Sequence, residues 1–99
     1  MDEQTYMDFT TALGEEYFDV ISPLCEFEPE PHDGYEVFAK VYGLRDITPE
    51  KLHAAQSRKD EVTRLRDAAR EWHETDDITS KHVLEVLQRV LQRWPPASA

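Results

Sequence analysis

The chain has 99 residues, of which 21 are acidic and 11 basic, and its formal net charge is −10. This length allows one small domain, and a hydrophobic content of 39% excludes a fully disordered chain. The sequence has no apolar run near the ~20 residues of a membrane span, and it does not start like a secretory signal. The single cysteine, Cys25, cannot form an internal disulfide, so we expect a cytoplasmic protein.

The negative charge is concentrated at the beginning of the chain. Residues 1–39 contain 11 acids and no lysine or arginine, whereas residues 40–99 contain 10 acids and all 11 bases. Self-repulsion makes such a concentration unfavourable for stability, and solubility alone does not require it. The net charge also repels nucleic acid and anionic lipid at long range, so we expect neither as a direct partner.

Residues 4–21 are predicted to form a helix. Six apolar side chains recur at spacings of three and four and fall within about 80° of arc. They are Tyr6, Phe9, Leu13, Tyr17, Val20 and Leu24. Gly14 is expected to be a mild weakness in the helix interior, and Ser22-Pro23 ends the pattern.

Residues 24–42 are the ambiguous part of the chain. Two prolines and an Asp-Gly pair predict a loop for residues 26–34. Apolar residues alternate over residues 35–42, which is typical of a strand that would pair back on residues 24–28 as a hairpin. Gly43 stands where a helix C-terminal glycine belongs, which slightly favours a helix.

Two helix starts are marked clearly by the sequence. Thr48 has the position of an N-cap with Pro49 at the first helical position, and Ile47 has the spacing to pack on Leu52. Thr79 repeats this pattern with apolar residues at the same spacing around it. We therefore expect one helix to begin after Thr48 and another after Thr79.

The C-terminal half is predicted to form two helices. The first runs from Pro49 to about Glu74, and six polar residues at 56–61 indicate that it projects into solvent or bends there. Its apolar stripe is Ala55, Val62, Leu65, Ala69 and Trp72. The last helix runs from about Ser80 to Trp94, and its apolar arc of about 160° predicts a central place in the core with two neighbours.

The predicted fold is all-α, a compact bundle of four or five helices, with an α+β alternative if residues 24–42 form the β-hairpin. Residues 1–94 are expected to be a single domain, made of an acidic part at 1–39 and a helical hairpin at 48–94. Residues 95–99 are expected to be a frayed tail.

The acidic residues form the candidate binding surface. In a helix Glu15 and Asp19 lie one turn apart, about 6 Å along the axis, and Asp8 continues the row with Glu16 at its border. Such a row imitates the charges of a nucleic-acid backbone and would attach to basic side chains of another protein. A solvated helix face with a soluble loop is the alternative for the same residues. The predicted partner-binding residues are Asp8, Glu15, Glu16, Asp19, Glu26, Glu28, Glu30 and Asp33, with Phe18 and Phe27 as aromatic anchors.

Other chemistry has little support in the sequence. The histidine spacings match no zinc motif, and His73 and His82, near one turn with acids, are interpreted as ordinary surface residues. Cys25 follows a helix start that would lower the pKa of its thiol, but nothing indicates a catalytic partner. The bases within residues 58–70 alternate with acids, as on a solvated face. We expect no catalytic residue, no metal and no cofactor.

The leading hypothesis is a non-enzymatic acidic protein that inhibits a nucleic-acid-handling protein by occupying its basic surface. Phage-encoded anti-defence inhibitors and immunity proteins for nuclease toxins work in this way, although no motif links the chain to either class. The alternative is a structural or adaptor module. In that case residues 49–94 would form a homodimer or bind a partner helix.

Overall fold

The computed structural model describes residues 2–93, which form an all-α bundle. The helices are α1 (Glu3–Ile21), α2 (His32–Tyr42), α3 (Pro49–Ser57), α4 (Lys59–His73) and α5 (Ser80–Arg93), and a 3₁₀ turn, Ser22–Leu24, follows α1. The part of the chain that the structure describes contains no strand, so the all-α prediction is confirmed and the β-hairpin at residues 24–42 is wrong. Trp94 and the predicted tail at 95–99 lie outside the described residues.

Helix α1 forms as its sequence predicts. The Asp2 carboxylate accepts a hydrogen bond from the Thr5 backbone N–H at 2.7 Å and caps the first turn. Phe9, Leu13 and Tyr17 are buried on the predicted stripe. Helix α1 packs against both α2 and α5. Within residues 2–93 no helix is both long and apolar enough to cross a bilayer.

Helix α2 forms where a strand was the alternative. The Asp33 carboxylate accepts from the Glu30 N–H at 3.0 Å, and the Asp33 N–H donates to the Glu30 carbonyl at 2.9 Å, which fixes the first turn. Gly43 has φ 88° and ends the helix in a conformation that other residues adopt with difficulty. The neighbours Val37 and Phe38 are both buried. A strand would place them on opposite faces, so tertiary packing favours the helix.

The predicted single helix from residue 49 to about residue 74 is instead two helices. Arg58 has extended backbone angles, φ −113° and ψ 108°, and separates α3 from α4. An unbroken helix of 26 residues would be about 39 Å long and would carry the polar stretch 56–61 into solvent. The break lets α3 and α4 both contact α5 and each other. The cap prediction is confirmed, since Thr48 accepts from the Lys51 N–H at 3.2 Å.

The apolar stripe of α4 ends on His73 and not on the predicted Trp72. Trp72 is 42% exposed, whereas His73 is 3% exposed. At 100° per residue His73 lies about 20° from Val62 around the helix, and Trp72 lies about 80° from it. His73 is therefore closer to the centre of the buried face. The prediction failed because it chose the apolar Trp72 over His73, which is better aligned with Val62 around the helix.

Helix α5 is the centre of the bundle. Val83, Val86, Leu87 and Val90 are buried, and the helix contacts α1, α3 and α4, one neighbour more than expected. Thr79 directly precedes the helix, its N–H donates to His82 Nδ1 at 3.1 Å, and its carbonyl accepts from the Val83 N–H at 3.2 Å.

Candidate functional site

Two predicted site residues of α1 are engaged by α5. The Arg93 guanidinium donates to Glu16 Oε1 at 2.9 Å and lies 3.1 Å from Glu15 Oε2, and Arg89 lies 3.8 Å from Glu16. The Glu16 side chain is only 12% exposed. These contacts raise the pKa of Arg93, chiefly through the hydrogen bond to Glu16. The two glutamates therefore join helices and are partly neutralised within the chain.

The remaining α1 candidates keep a free charge. Asp8 is exposed and accepts from the Gln4 side-chain amide at 2.8 Å. Asp19 is exposed, and no cation of residues 2–93 lies within 4 Å of its carboxylate. Eleven residues separate the two, which is about 16 Å along the helix. Phe18, predicted as an anchor, is half-buried. Of the predicted acidic row on α1, only Asp8 and Asp19, at its two ends, therefore keep carboxylates that no cation of residues 2–93 contacts.

The acidic loop, residues 26–30, holds the densest uncompensated charge. Glu26, Glu28 and Glu30 are exposed, and none forms an ion pair within the described part of the chain. Pro29 is buried between them and holds the loop on the bundle. Phe27 is 60% exposed. Three carboxylates and an aromatic ring therefore share one short segment of the surface.

Two glycines bring this loop against α1. A Cβ added to Gly14 would lie 1.9 Å from the Pro31 carbonyl oxygen, and one added to Gly34 would lie 2.3 Å from Tyr17 Cβ. The backbone after the acidic loop therefore lies directly on α1. Glu15 and Pro31 line the same groove there. Glu15 of α1 therefore lies beside the segment that follows the acidic loop.

Asp33 has a structural position. It is buried, and its carboxylate accepts a hydrogen bond from the N–H of Glu30, the last residue of the acidic loop. Its other oxygen lies 3.6 Å from His32 Nε2. Asp33 was predicted to bind a partner, but its carboxylate is used to hold the loop against the helix.

His73 is a buried residue that the sequence interpretation missed. Its ring stacks on Tyr17 with centroids 5.7 Å apart, and the Phe27 ring lies 6.3 Å away on a tilted plane. Neither ring nitrogen has a hydrogen-bond partner among residues 2–93. Burial lowers the pKa of His73, and this outweighs the raising effect of Asp33. Its phase with Val62 is the sequence signal that could have placed it inside.

A small pocket of about 130 Å³ opens beside this histidine. It lies between the acidic loop and the turn that joins α4 to α5. Its lining residues are Glu26, Phe27, His73, Glu74, Thr75 and Asp77. Glu74 follows α4 in the left-handed conformation, with φ 52° and ψ 36°. The pocket thus combines three carboxylates with two rings.

Cys25 does not have the low thiol pKa that a helix start would give. It is half-buried, and burial raises the pKa of the thiol, with Asp33 and Asp77 adding to the effect. Among residues 2–93 no group of three or more His, Cys, Asp or Glu side chains is arranged to hold a metal ion.

Comparison of the chain with protein-family models, curated protein sequences and solved structures finds no match. The acidic surface is therefore interpreted from its own geometry. Its exposed carboxylates without an ion pair are those of the acidic loop and of Asp19, and Asp8 shares its charge with an amide only. The aromatic ring that accompanies them is that of Phe27.

Proposed function

We propose that the protein is a non-enzymatic, cytoplasmic inhibitor that occupies the basic surface of a nucleic-acid-handling protein. The observation that supports this most is the acidic loop, with three exposed carboxylates and no cation of residues 2–93 within 4 Å of them. Uncompensated carboxylates attract the lysine and arginine side chains that hold phosphates, and they speed the encounter. The inhibitor would be of the anti-defence or immunity-protein type.

Binding energy requires an anchor as well as charge. Phe27 stands between two of the loop carboxylates and is 60% exposed. A half-exposed aromatic ring gains apolar contact when a partner covers it, and aromatic residues are frequent at binding hot spots. Asp8 and Asp19 extend the charged surface along α1, whereas Glu15 and Glu16 contribute less because Arg93 already contacts them.

The adaptor alternative has no comparable support. On α5, Val83, Val86, Leu87 and Val90 are buried against α1, α3 and α4. Self-association through residues 49–94 would therefore depend on Trp72 of α4, which is 42% exposed, and on the half-buried Leu84 and Leu91.

Affinity capture with matched variants tests the proposed function. The loop variant carries Glu26→Gln, Glu28→Gln and Glu30→Gln, and the control variant carries Glu50→Gln, Asp60→Asn and Asp67→Asn. Both change the net charge from −10 to −7 by removing three acids, all of them exposed. The wild type and both variants are used as baits in nuclease-treated extracts of source and candidate host cells, at low and moderate salt.

We expect the wild type and the control variant to retain the same nucleic-acid-binding protein. The loop variant should retain at least about tenfold less of that protein. Added duplex DNA or RNA should release the retained protein, because both compete for one basic surface. Equal retention by all three baits would show that the acidic loop serves solubility. Retention of the chain itself alone would favour the adaptor alternative.

A further inference from the structure

We propose that the pocket beside Phe27 receives an arginine side chain of the partner protein. This inference rests on the proposed function, because it names the group that the acidic surface recognises. The pocket is small, about 130 Å³, and lies at the edge of the acidic loop. It is formed by Glu26, Phe27, His73, Glu74, Thr75 and Asp77.

The electrostatics of the pocket favour a cation. Glu26, Glu74 and Asp77 supply three carboxylates, and no lysine or arginine within residues 2–93 lines the pocket. Helix α4 ends at His73, so the carbonyls of its last turn and the negative end of its dipole lie beside the pocket. The Phe27 ring adds a face on which a cation can stack.

His73 provides a second observation that is independent of the acids. It lines the pocket, is 3% exposed, and has no hydrogen-bond partner at either ring nitrogen among the described residues. Buried polar groups without a partner are rare in folded proteins and call for an explanation. Burial disfavours the charged form, so the neutral imidazole keeps one nitrogen as an acceptor for an N–H donor.

In this proposal, Phe27 moves to give the guanidinium access to that nitrogen. The ring of Phe27 lies 6.3 Å from the imidazole at an interplanar angle of 55°, and the residue is 60% exposed. A side chain that is 60% exposed can change its rotamer toward solvent. The arriving group then stacks on the ring that it displaces.

A guanidinium fits these features better than an ammonium. It is planar, carries five N–H donors and stacks on aromatic faces, whereas an ammonium is a compact and strongly hydrated charge. Several carboxylates and one imidazole can accept from it together.

NMR titration of the full ¹⁵N-labelled chain tests the pocket directly. The probe is N-acetyl-arginine methylamide, and N-acetyl-citrulline methylamide is the neutral control of similar shape. We expect the arginine probe to produce saturable shifts at residues 26–27 and 73–77 and at the His73 ring. The citrulline probe should produce less than a tenth of these shifts.

Three variants make the test specific. We expect Glu26→Gln and Asp77→Asn each to weaken binding of the arginine probe about fivefold or more. Phe27→Ala, at an exposed residue, should weaken it without unfolding the chain. Glu50→Gln removes one exposed acid on α3 and should leave binding within twofold of the wild type.

The pocket assignment is overturned if the two probes behave alike, or if the arginine probe shifts all exposed acids equally. It is also overturned if Glu50→Gln weakens binding as much as Asp77→Asn. The proposed function can survive this failure, because the loop variant can still lose its captured protein. Conversely, probe binding at the pocket without any captured nucleic-acid-binding protein supports the pocket and contradicts the proposed function.

Discussion

Gly14 shows how one residue positions the acidic surface. In the sequence it is a weak point in a helix, but in the structure its missing side chain admits the Pro31 carbonyl. Gly34 of α2 makes the reciprocal contact, because its missing side chain leaves room for Tyr17 of α1. The close crossing of α1 and α2 depends on both, and with it the place of the acidic loop.

Gly14→Ala should destabilise the protein although alanine is the better helix former by about 1 kcal/mol. The added methyl group would lie 1.9 Å from a backbone oxygen, which cannot rotate aside as a side chain would. We expect a loss of about 2–3 kcal/mol in the free energy of unfolding, measured by urea denaturation. Thr11→Ala, at an exposed site on α1, should stay within about 0.5 kcal/mol of the wild type. A more stable Gly14→Ala protein would contradict the close crossing.

His73 should make stability depend on pH. Its pKa is lowered from the ordinary 6.5 in the folded state, chiefly by burial, so the unfolded state binds a proton first as the pH falls. Stability is therefore lost as the pH falls below about 6.5, by at most about 1.4 kcal/mol per pH unit for one proton. His73→Phe keeps a ring against Tyr17 and Phe27 and should remove this loss. The measurement is the difference in unfolding free energy between the two proteins from pH 7.5 to 5, and parallel curves would contradict the prediction.

At the scale of elements, residues close together in the sequence determine where helices begin. The contacts between helices depend on residues far apart in the sequence. Asp2, Thr48 and Thr79 each begin a helix with their own backbone or side-chain hydrogen bonds. The extended residue Arg58, in contrast, divides a continuous helical pattern so that α3 and α4 can both reach α5. Packing on α5 therefore outweighs local helix propensity at this junction.

The contact between α1 and α5 predicts different effects for two nearby acids. Glu16, with a side chain 12% exposed, accepts from Arg93, so Glu16→Gln should lower the free energy of unfolding by about 1 kcal/mol. Asp19→Asn, three residues later at an exposed site, should stay within about 0.5 kcal/mol of the wild type. Chemical denaturation of both variants side by side tests this. If Asp19→Asn is the more damaging change, the ion pairs of α5 do not hold α1.

At the scale of the whole molecule, folding compensates only part of the charge asymmetry. The bases of α5 meet acids of α1, and Lys40 of α2 lies 3.0 Å from Glu71 of α4. The acidic loop has no such partner among residues 2–93. Unpaired exposed acids therefore remain in the acidic loop and also at Asp8 and Asp19 of α1, and they repel one another.

Salt should stabilise this protein. Raising NaCl from 10 to 100 mM shortens the Debye length from about 30 to 10 Å and screens repulsion between the exposed acids. We expect the free energy of unfolding to rise by about 1 kcal/mol, which corresponds to a Tm increase of about 4–8 °C. The loop variant should respond less to salt than the control variant of equal net charge. A Tm that falls with added salt would show that the ion pairs of α5 dominate the electrostatics.

Much of the fold could be predicted from local patterns. The stripe of Phe9, Leu13 and Tyr17 and the cap at Thr48 needed only spacing and residue type, and both are observed. Trp72 and His73 exchanged their predicted places because the prediction preferred the apolar residue to the one that is aligned with Val62 around the helix. The alternation over residues 35–42 was compatible with a strand, and only the burial of both Val37 and Phe38 decided for a helix.

The sequence by itself determined where helices begin and where the acids are concentrated, because caps, periodicity and charge counts depend on residues close together in the chain. Only the tertiary structure decided which acids are free. Arg93 is 77 residues away from Glu16, and the groove at Gly14 exists only once Pro31 crosses it. Such contacts depend on which helices pack together, so the pocket between the acidic loop and the turn after α4 is defined only in the folded bundle.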